Sequence, residues 1–238
     1  MNMKELQRKA KQLNIHLSEK QLEQFQMYYE MLVEKNKVMN LTAITEYDEV
    51  INKHFMDSIL LGGIMDLSGN LNLVDVGTGA GFPGIPLKIA FPKLKVTLLD
   101  SLNKRVKFLN EVIEALELTG IEAIHARAEE GGQNPVLREQ FDLCVSRAVA
   151  NLSTLSEYCL PFVKKSGYFI SYKSSQIQEE LEQSGKAVKI LGGKLQEVKS
   201  VCLPETDIVR QFVVIQKVGQ TPKGYPRKAG TASKNPIL

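Results

Sequence analysis

Between residues 71 and 173 five short apolar runs end at Val76, Asp100, Ala126, Ser146 and Tyr172, at intervals of 24, 26, 20 and 26 residues, with room for a helix between each pair. A β–α–β unit takes ~30 residues or somewhat more counting both strands, so this cadence calls for strands alternating with crossover helices and hence a mainly parallel sheet. The clearest crossover spans residues 103–118, where Val106, Leu109, Val112, Ile113 and Leu116 recur at helical spacing. A more polar helix is expected from about Gln176 to Leu191, then Gly192-Gly193, then strand-like runs at 195–203 and 209–218 joined by residues 204–207. So short a connection pairs the last two runs antiparallel, as a terminal hairpin on the sheet. The expected fold class is α/β.

The first 65 or so residues follow a different period. Ser18 and Gln21 have capping-box spacing, and Leu22, Phe25, Tyr29, Leu32 and Val33 follow at helical intervals. Thr45 with Asp48 marks a second start, before Val50, Ile51, Phe55, Ile59 and Leu60. With 238 residues and ~150 per domain, one enlarged domain is expected. The divisions are a helical cap at 1–66, a sheet domain at 67–218 and a tail at 219–238.

The 43% hydrophobic and 24% charged residues exclude collagen-like and largely disordered classes. The longest nearly apolar stretch, 59–65, is far short of the ~20 residues of a membrane helix. Lys4, Arg8, Lys9 and Lys11 are followed by no apolar run, so no secretory signal is read and a cytoplasmic protein is expected. Cys144, Cys159 and Cys202 are odd in number and lack CxxC spacing, so buried free thiols are expected and no metal site. A monomer is the default.

Charge is uneven along the chain. Arg210, Lys217, Lys223, Arg227, Lys228 and Lys234 follow Asp207 with no acidic residue among them, which leaves residues 1–207 at a net charge of −3. Lys223-Gly-Tyr-Pro-Arg227-Lys228 lies among Pro222, Pro226, Gly230 and Pro236, a Pro/Gly-rich basic segment that a polyanion such as RNA could order. The same charge also suits a solvated tail.

Ligands of open α/β sheets bind beyond the carboxyl ends of the strands. At the first such end, Asp75-Val-Gly77-Thr-Gly79-Ala-Gly81 places three glycines at alternate positions, where absent Cβ atoms allow tight turning and close approach of a ligand. Phe82-Pro83 follows, and the first turn of the next helix is expected to offer free N–H groups to a carboxylate or phosphate. Gly79-Ala-Gly81-Phe-Pro-Gly84 also satisfies the dinucleotide fingerprint, with Asp100 placed to grip a ribose diol, so an NAD-dependent dehydrogenase competes. Against it, the glycines directly after the strand are in another register, and the chain ends in a hairpin rather than a second nucleotide-binding half.

The glycine series, the acid ending the next strand and the terminal hairpin together resemble the S-adenosylmethionine-dependent methyltransferases. In that arrangement the cofactor's carboxylate meets the glycine loop and helix end, its ribose meets Asp100, and its adenine lies over Ala126-Arg-Ala128-Glu129. After the fourth strand, Arg147-Ala-Val-Ala-Asn-Leu152 holds neither the Asn/Asp-Pro-Pro-aromatic motif of exocyclic-amine methyltransferases nor a nucleophilic Cys, since Cys144 lies within the strand. Arg147 is the conspicuous polar group there.

Several segments are similar to one family. Asn40-Leu-Thr42, His54-x-x-Asp57-Ser58, Asp75 through Leu87, Asp100-Ser-x-Asn-Lys-Arg105, Arg127-Ala-Glu129, Ser146-Arg-Ala148 and Tyr225-Pro-Arg-Lys-x-Gly230 resemble the RsmG (GidB) family of small-subunit ribosomal RNA methyltransferases, over about residues 36–236. The resemblance implies the Rossmann-like methyltransferase fold with a seven-stranded sheet, and methyl transfer from S-adenosyl-L-methionine to N7 of a guanine in 16S rRNA near the decoding site. It implies 16S rRNA or the small ribosomal subunit as partner. By position it carries over Gly77, Phe82, Ala128, Glu129 and Arg147 as cofactor contacts, beside which Gly79 and Asp100 are read from the loop and strand end.

Guanine N7 has an in-plane lone pair and no proton to lose, so alignment and desolvation suffice and no general base is expected. His16, His54 and His125 then need no catalytic role. Lys173, Arg227 and Lys228, with Lys104 and Arg105, are the expected RNA phosphate contacts. The competing class is a non-catalytic protein binding S-adenosylmethionine or RNA.

Overall fold

The computed structural model describes residues 3–147, 150–174 and 177–238. Helices α1 (Lys4–Gln12) and α2 (Glu19–Met39) lead into a helical run of α3 (Tyr47–Val50), a π-helical turn (Ile51–Met56), α4 (Asp57–Ile59) and a 3-10 turn (Leu60–Gly63). Then come β1 (Asn72–Val76), α5 (Gly84–Ala90), β2 (Lys95–Asp100), α6 (Asn103–Ala115), β3 (Ile121–His125), α7 (Ala128–Gln133) and β4 (Phe141–Ser146). The chain continues with α8 (Leu152–Cys159), β5 (Val163–Lys173), α9 (Gln178–Ile190), β6 (Gly193–Cys202), β7 (Val209–Lys217) and α10 (Thr231–Lys234).

The strands form one seven-stranded sheet in the order β3-β2-β1-β4-β5-β7-β6. β1 to β5 pair parallel, while β7 lies antiparallel between β5 and β6. Strand order reverses between β1 and β4, and the crevice beyond their carboxyl ends is where such sheets take ligands.

Alternation along β1 divides the core between two faces. Leu73 joins a cluster with Phe25, Tyr28 and Phe55 of the N-terminal helices and Phe108 and Leu109 of α6. Val74 and Val76 join the other, with Leu155, Phe162 and Val188. The helical cap therefore shares one core with a face of the sheet. Gln21 fastens it: its backbone and side chain complete the capping box with Ser18, and its amide donates to the carbonyl of Ile89 at 2.6 Å.

Several boundaries differ from expectation. The second cap falls on Glu46, in extended conformation, because the Thr45 carbonyl accepts from the Tyr29 hydroxyl instead of starting the helix. β3 ends at His125, one residue before Ala126, whose N–H makes the last ladder bond to the Asp100 carbonyl at 3.1 Å. Tyr28, not Tyr29, fills the apolar stripe of α2. Cys144 and Cys159 are buried free thiols, but Cys202 is exposed on the outermost strand, where its thiol donates to the Thr206 carbonyl. Gln176, the expected helix start, and Ala148 of the Ser146-Arg-Ala motif lie outside the described residues.

Candidate functional site

The loop leaving β1 is built on positive φ angles at Gly77 (74°), Gly79 (63°) and Gly81 (107°), a region where a Cβ is unfavourable. A Cβ at Gly81 would stand 2.6 Å from the Ile85 side chain and 2.7 Å from the Tyr28 hydroxyl, whereas one at Gly79 would meet nothing within 4 Å. The loop is closed against the cap and open toward the strand ends. Its backbone is pinned: Gly77 and Thr78 N–H donate to the Leu99 carbonyl, Gly79 N–H to Asp100 Oδ2 at 2.9 Å, and the Tyr28 hydroxyl to the Ala80 carbonyl at 2.6 Å.

Beneath the loop, Asp75 Oδ2 accepts from Thr78 Oγ1 at 2.6 Å and Gly84 N–H at 2.9 Å. Ile85 N–H donates to the Gly81 carbonyl and Leu87 N–H to that of Pro83, while Pro83 and Pro86 have no N–H. The first turn of α5 therefore keeps no free donor, and the expectation that it receives a ligand carboxylate is corrected: Asp75 fills that place. Burial pushes the Asp75 carboxyl up to about 6, against the opposing bonds from Thr78 and Gly84. Its Oδ1 is buried and has no hydrogen-bond partner among the described residues.

Beyond β1, β2 and β3 lies a cavity of ≈ 390 Å³ lined by Gly77, Asp100, Arg105, Ala128, Glu129 and Tyr158, among others. Asp100 is only 3% exposed; its Oδ1 accepts from Leu102 N–H, and its Oδ2 from Gly79 N–H at 2.9 Å and Arg105 Nη1 at 3.4 Å, so Arg105 is paired here. Each carboxylate oxygen can accept twice, so Oδ1 keeps room for one further donor such as a ribose hydroxyl, while Oδ2 is filled. Glu129, 8% exposed, accepts from Gly230 N–H at 2.8 Å. Four of the expected contacts, Gly77, Asp100, Ala128 and Glu129, thus share one cavity, with Gly79 hydrogen-bonded beside them.

Phe82 and Arg147 lie on the cap side of the loop instead. The His54 ring stacks on Phe82 with centroids 4.5 Å apart, and the Arg147 guanidinium stands 5.0 Å from the Phe82 centroid. Arg147 Nη1 donates to Asp57 Oδ2 at 2.8 Å and to the Lys53 carbonyl at 3.1 Å. Asp57, whose side chain is 1% exposed, also accepts from Arg210 Nε at 2.6 Å. One buried carboxylate thereby joins the cap, the end of β4 and the terminal hairpin. His54 Nε2 lies 2.8 Å from Thr42 Oγ1, so four of the family-like segments, those of Thr42, His54, Phe82 and Arg147, meet here. Burial, then the Arg147 charge, lower His54 to about 4.

The expected phosphate contacts divide. The Lys173 ammonium donates to the Ala150 carbonyl at 2.6 Å and pairs with Glu180 at 2.9 Å. Arg227 donates to Glu157 from its backbone N–H (2.8 Å), Nε (2.9 Å) and Nη2 (2.6 Å). Lys228 is exposed, and its ammonium has no partner among the described residues. The sequence pattern points to neither Asp57 nor Tyr28 as a site residue: nothing in one dimension says that the Asp57 carboxylate joins two arginines 90 and 153 residues away. Among the described residues no group of three His, Cys, Asp or Glu is placed to hold a metal, and no helix is long and apolar enough to cross a membrane.

Residues 21–209 match the family described as rRNA small subunit methyltransferase G (GidB). A protein named Ribosomal RNA small subunit methyltransferase G from Lachnoclostridium phytofermentans is 55% identical over 226 residues, covering 95% of this chain and 93% of its own. One of the same name from Staphylococcus saprophyticus is 55% identical over 224 residues, covering 94% and 93%. Among solved structures, a SAM dependent methyltransferase from Aquifex aeolicus superposes with a TM-score of 0.55 at 19% identity, covering 75% of this chain and 97% of that one, a likeness of fold.

Proposed function

The chain belongs to the rRNA small subunit methyltransferase G family, and from that premise we propose that it transfers a methyl group from S-adenosyl-L-methionine to N7 of one guanine in 16S rRNA, near the decoding site. It is an S-adenosylmethionine-dependent methyltransferase acting on small-subunit ribosomal RNA. The observation that carries the site assignment is the buried Asp100 carboxylate facing a ≈ 390 Å³ cavity beside the loop. The open side of Gly79 fits the cofactor, as does a strand-end acid with one acceptor position to spare on Oδ1.

When bound, the cofactor supplies an electrophilic methyl group on a sulfonium. Asp100 would accept from a ribose hydroxyl through Oδ1, Gly77 would let the cofactor approach the backbone, and Ala128 and Glu129 would read the adenine edge. Gly79, bonded to Asp100, keeps that carboxylate and the loop in register. Phe82 and Arg147, held by His54 and Asp57, form the wall between loop and cap. No residue has to hold or move a proton, because guanine N7 carries none; the protein's contribution is orientation and exclusion of water. His54, buried and stacked on Phe82, shapes this wall and takes no proton from the substrate. Lys228 meets RNA phosphate at the surface, with Lys104 in the first turn of α6.

The test is transfer of labelled methyl groups to small-subunit particles from cells lacking the gene, followed by nucleoside analysis. Label in 7-methylguanosine at a single site supports the proposal. Label in another nucleoside refutes the N7 assignment, and an absence of label with cofactor bound favours a non-catalytic binder.

A further inference from the structure

The basic tail does not leave the body of the protein. Arg138 donates to the carbonyls of Tyr225 and Thr221, both at 2.8 Å, and Gln133 to that of Pro226 at 2.9 Å. Thr154 and Ser153 of α8 donate to the carbonyls of Ala232 and Ile237. The strongest tie is Glu157, also on α8, whose side chain is 1% exposed and which takes three donors of Arg227. The remaining Arg227 bond goes to the Asn235 carbonyl at 3.0 Å, within the tail itself. So engaged, this guanidinium has no free fork for a phosphate. The folded tail then reaches the cavity: Gly230 and Ser233 line it together with Asp100, and Gly230 N–H donates to Glu129.

We propose that the C-terminal segment is a wall of the cofactor cavity, with Gly230 and Ser233 against the adenosine end of the cofactor, and that the Glu157–Arg227 pair is the latch that positions it. This rests on the cofactor reading above. Arg227 is then a positioning residue for the cofactor, not a contact to RNA. Tyr158 completes the same wall, one residue beyond Glu157 on α8. A bidentate guanidinium–carboxylate pair fixes orientation as well as distance, which a lysine in its place would not.

The test uses the full chain, with calorimetric titration of S-adenosylhomocysteine, the unreactive product, and binding to small-subunit ribosomal RNA across a salt series. Arg227→Ala should weaken the cofactor about tenfold, and Arg227→Lys should recover part of that loss. Ser233→Trp, at an exposed rim position that leaves the latch intact, should weaken it comparably without moving the unfolding midpoint. RNA affinity and its salt slope should stay at wild-type values in Arg227→Lys. Unchanged cofactor affinity in Ser233→Trp overturns the proposal, and decides it alone should Arg227→Ala fail to fold. A reduced RNA salt slope with unchanged cofactor affinity in Arg227→Ala overturns it in favour of a phosphate contact. Failure of the wild type itself to bind S-adenosylhomocysteine would sink the cofactor reading, and the latch with it.

Discussion

His54→Gln and Asp75→Asn should expose two opposed titrations that nearly cancel in the wild-type protein. Asp75 rises from 3.8 to about 6 because burial disfavours its charge, while Thr78 and Gly84 N–H, Arg147 and Asp100 act on it less. His54 falls from 6.5 to about 4, through burial first and the Arg147 charge second. At about 1.4 kcal/mol per pKa unit, each shift is worth roughly 3 kcal/mol. The signs oppose. The contribution of Asp75 is fully present below 3.8 and is lost as pH rises through about 6. That of His54 is present above 6.5 and is lost as pH falls through about 4. Asn at 75 keeps an acceptor for Thr78 and Gly84, so its main effect is to remove the charge. The assay is urea unfolding at constant ionic strength from about pH 4.5 to 7.5, read as each variant's difference from wild type, so that other titrating groups cancel. Lowering pH should raise wild type relative to Asp75→Asn by roughly 2 kcal/mol and lower it relative to His54→Gln by a similar amount. Two difference curves flat within about 0.5 kcal/mol, or curves sloping the same way, would refute the reasoning.

Asp57→Asn should cost about 3 kcal/mol or more, because Arg147 and Arg210 lose their shared buried carboxylate; a wild-type urea midpoint would contradict this. Tyr28→Phe removes the bond to the Ala80 carbonyl and should destabilise by about 1 to 2 kcal/mol, with weaker cofactor binding by titration because the loop loses its support. Lys228→Ala should weaken binding to small-subunit ribosomal RNA and lower the salt slope by about one, while leaving cofactor affinity as it was.

The sheet was legible because its signals are local and repeated. Each parallel strand is a short apolar run, and the ends of β1, β2 and β4 fall where that pattern stops. The hairpin followed from a four-residue connection, 204–207, too short for any crossover. Gly77, Asp100, Ala128 and Glu129 could be placed in one region because strand ends converge in this topology. What escaped depends on distance along the chain. Charge and proline content in the tail speak of solvation and RNA, and only Glu157, 70 residues upstream, shows that Arg227 is engaged internally. Likewise Phe82-Pro83 reads as a helix start with donors to offer, until Asp75 Oδ2 is found beneath Gly84. Helical spacing could not choose between the neighbours Tyr28 and Tyr29; the Ala80 carbonyl, which Tyr28 reaches, does.

Equilibrium titration of wild type and Asp100→Ala against S-adenosylmethionine and NAD tests most directly whether the strand-end cavity holds S-adenosylmethionine. Wild type should bind S-adenosylmethionine and not NAD, and Asp100→Ala should lose at least about tenfold in affinity, since the charge-assisted bond to the ribose is gone. NAD binding by the wild type, or full S-adenosylmethionine affinity in a folded Asp100→Ala variant, would contradict that assignment.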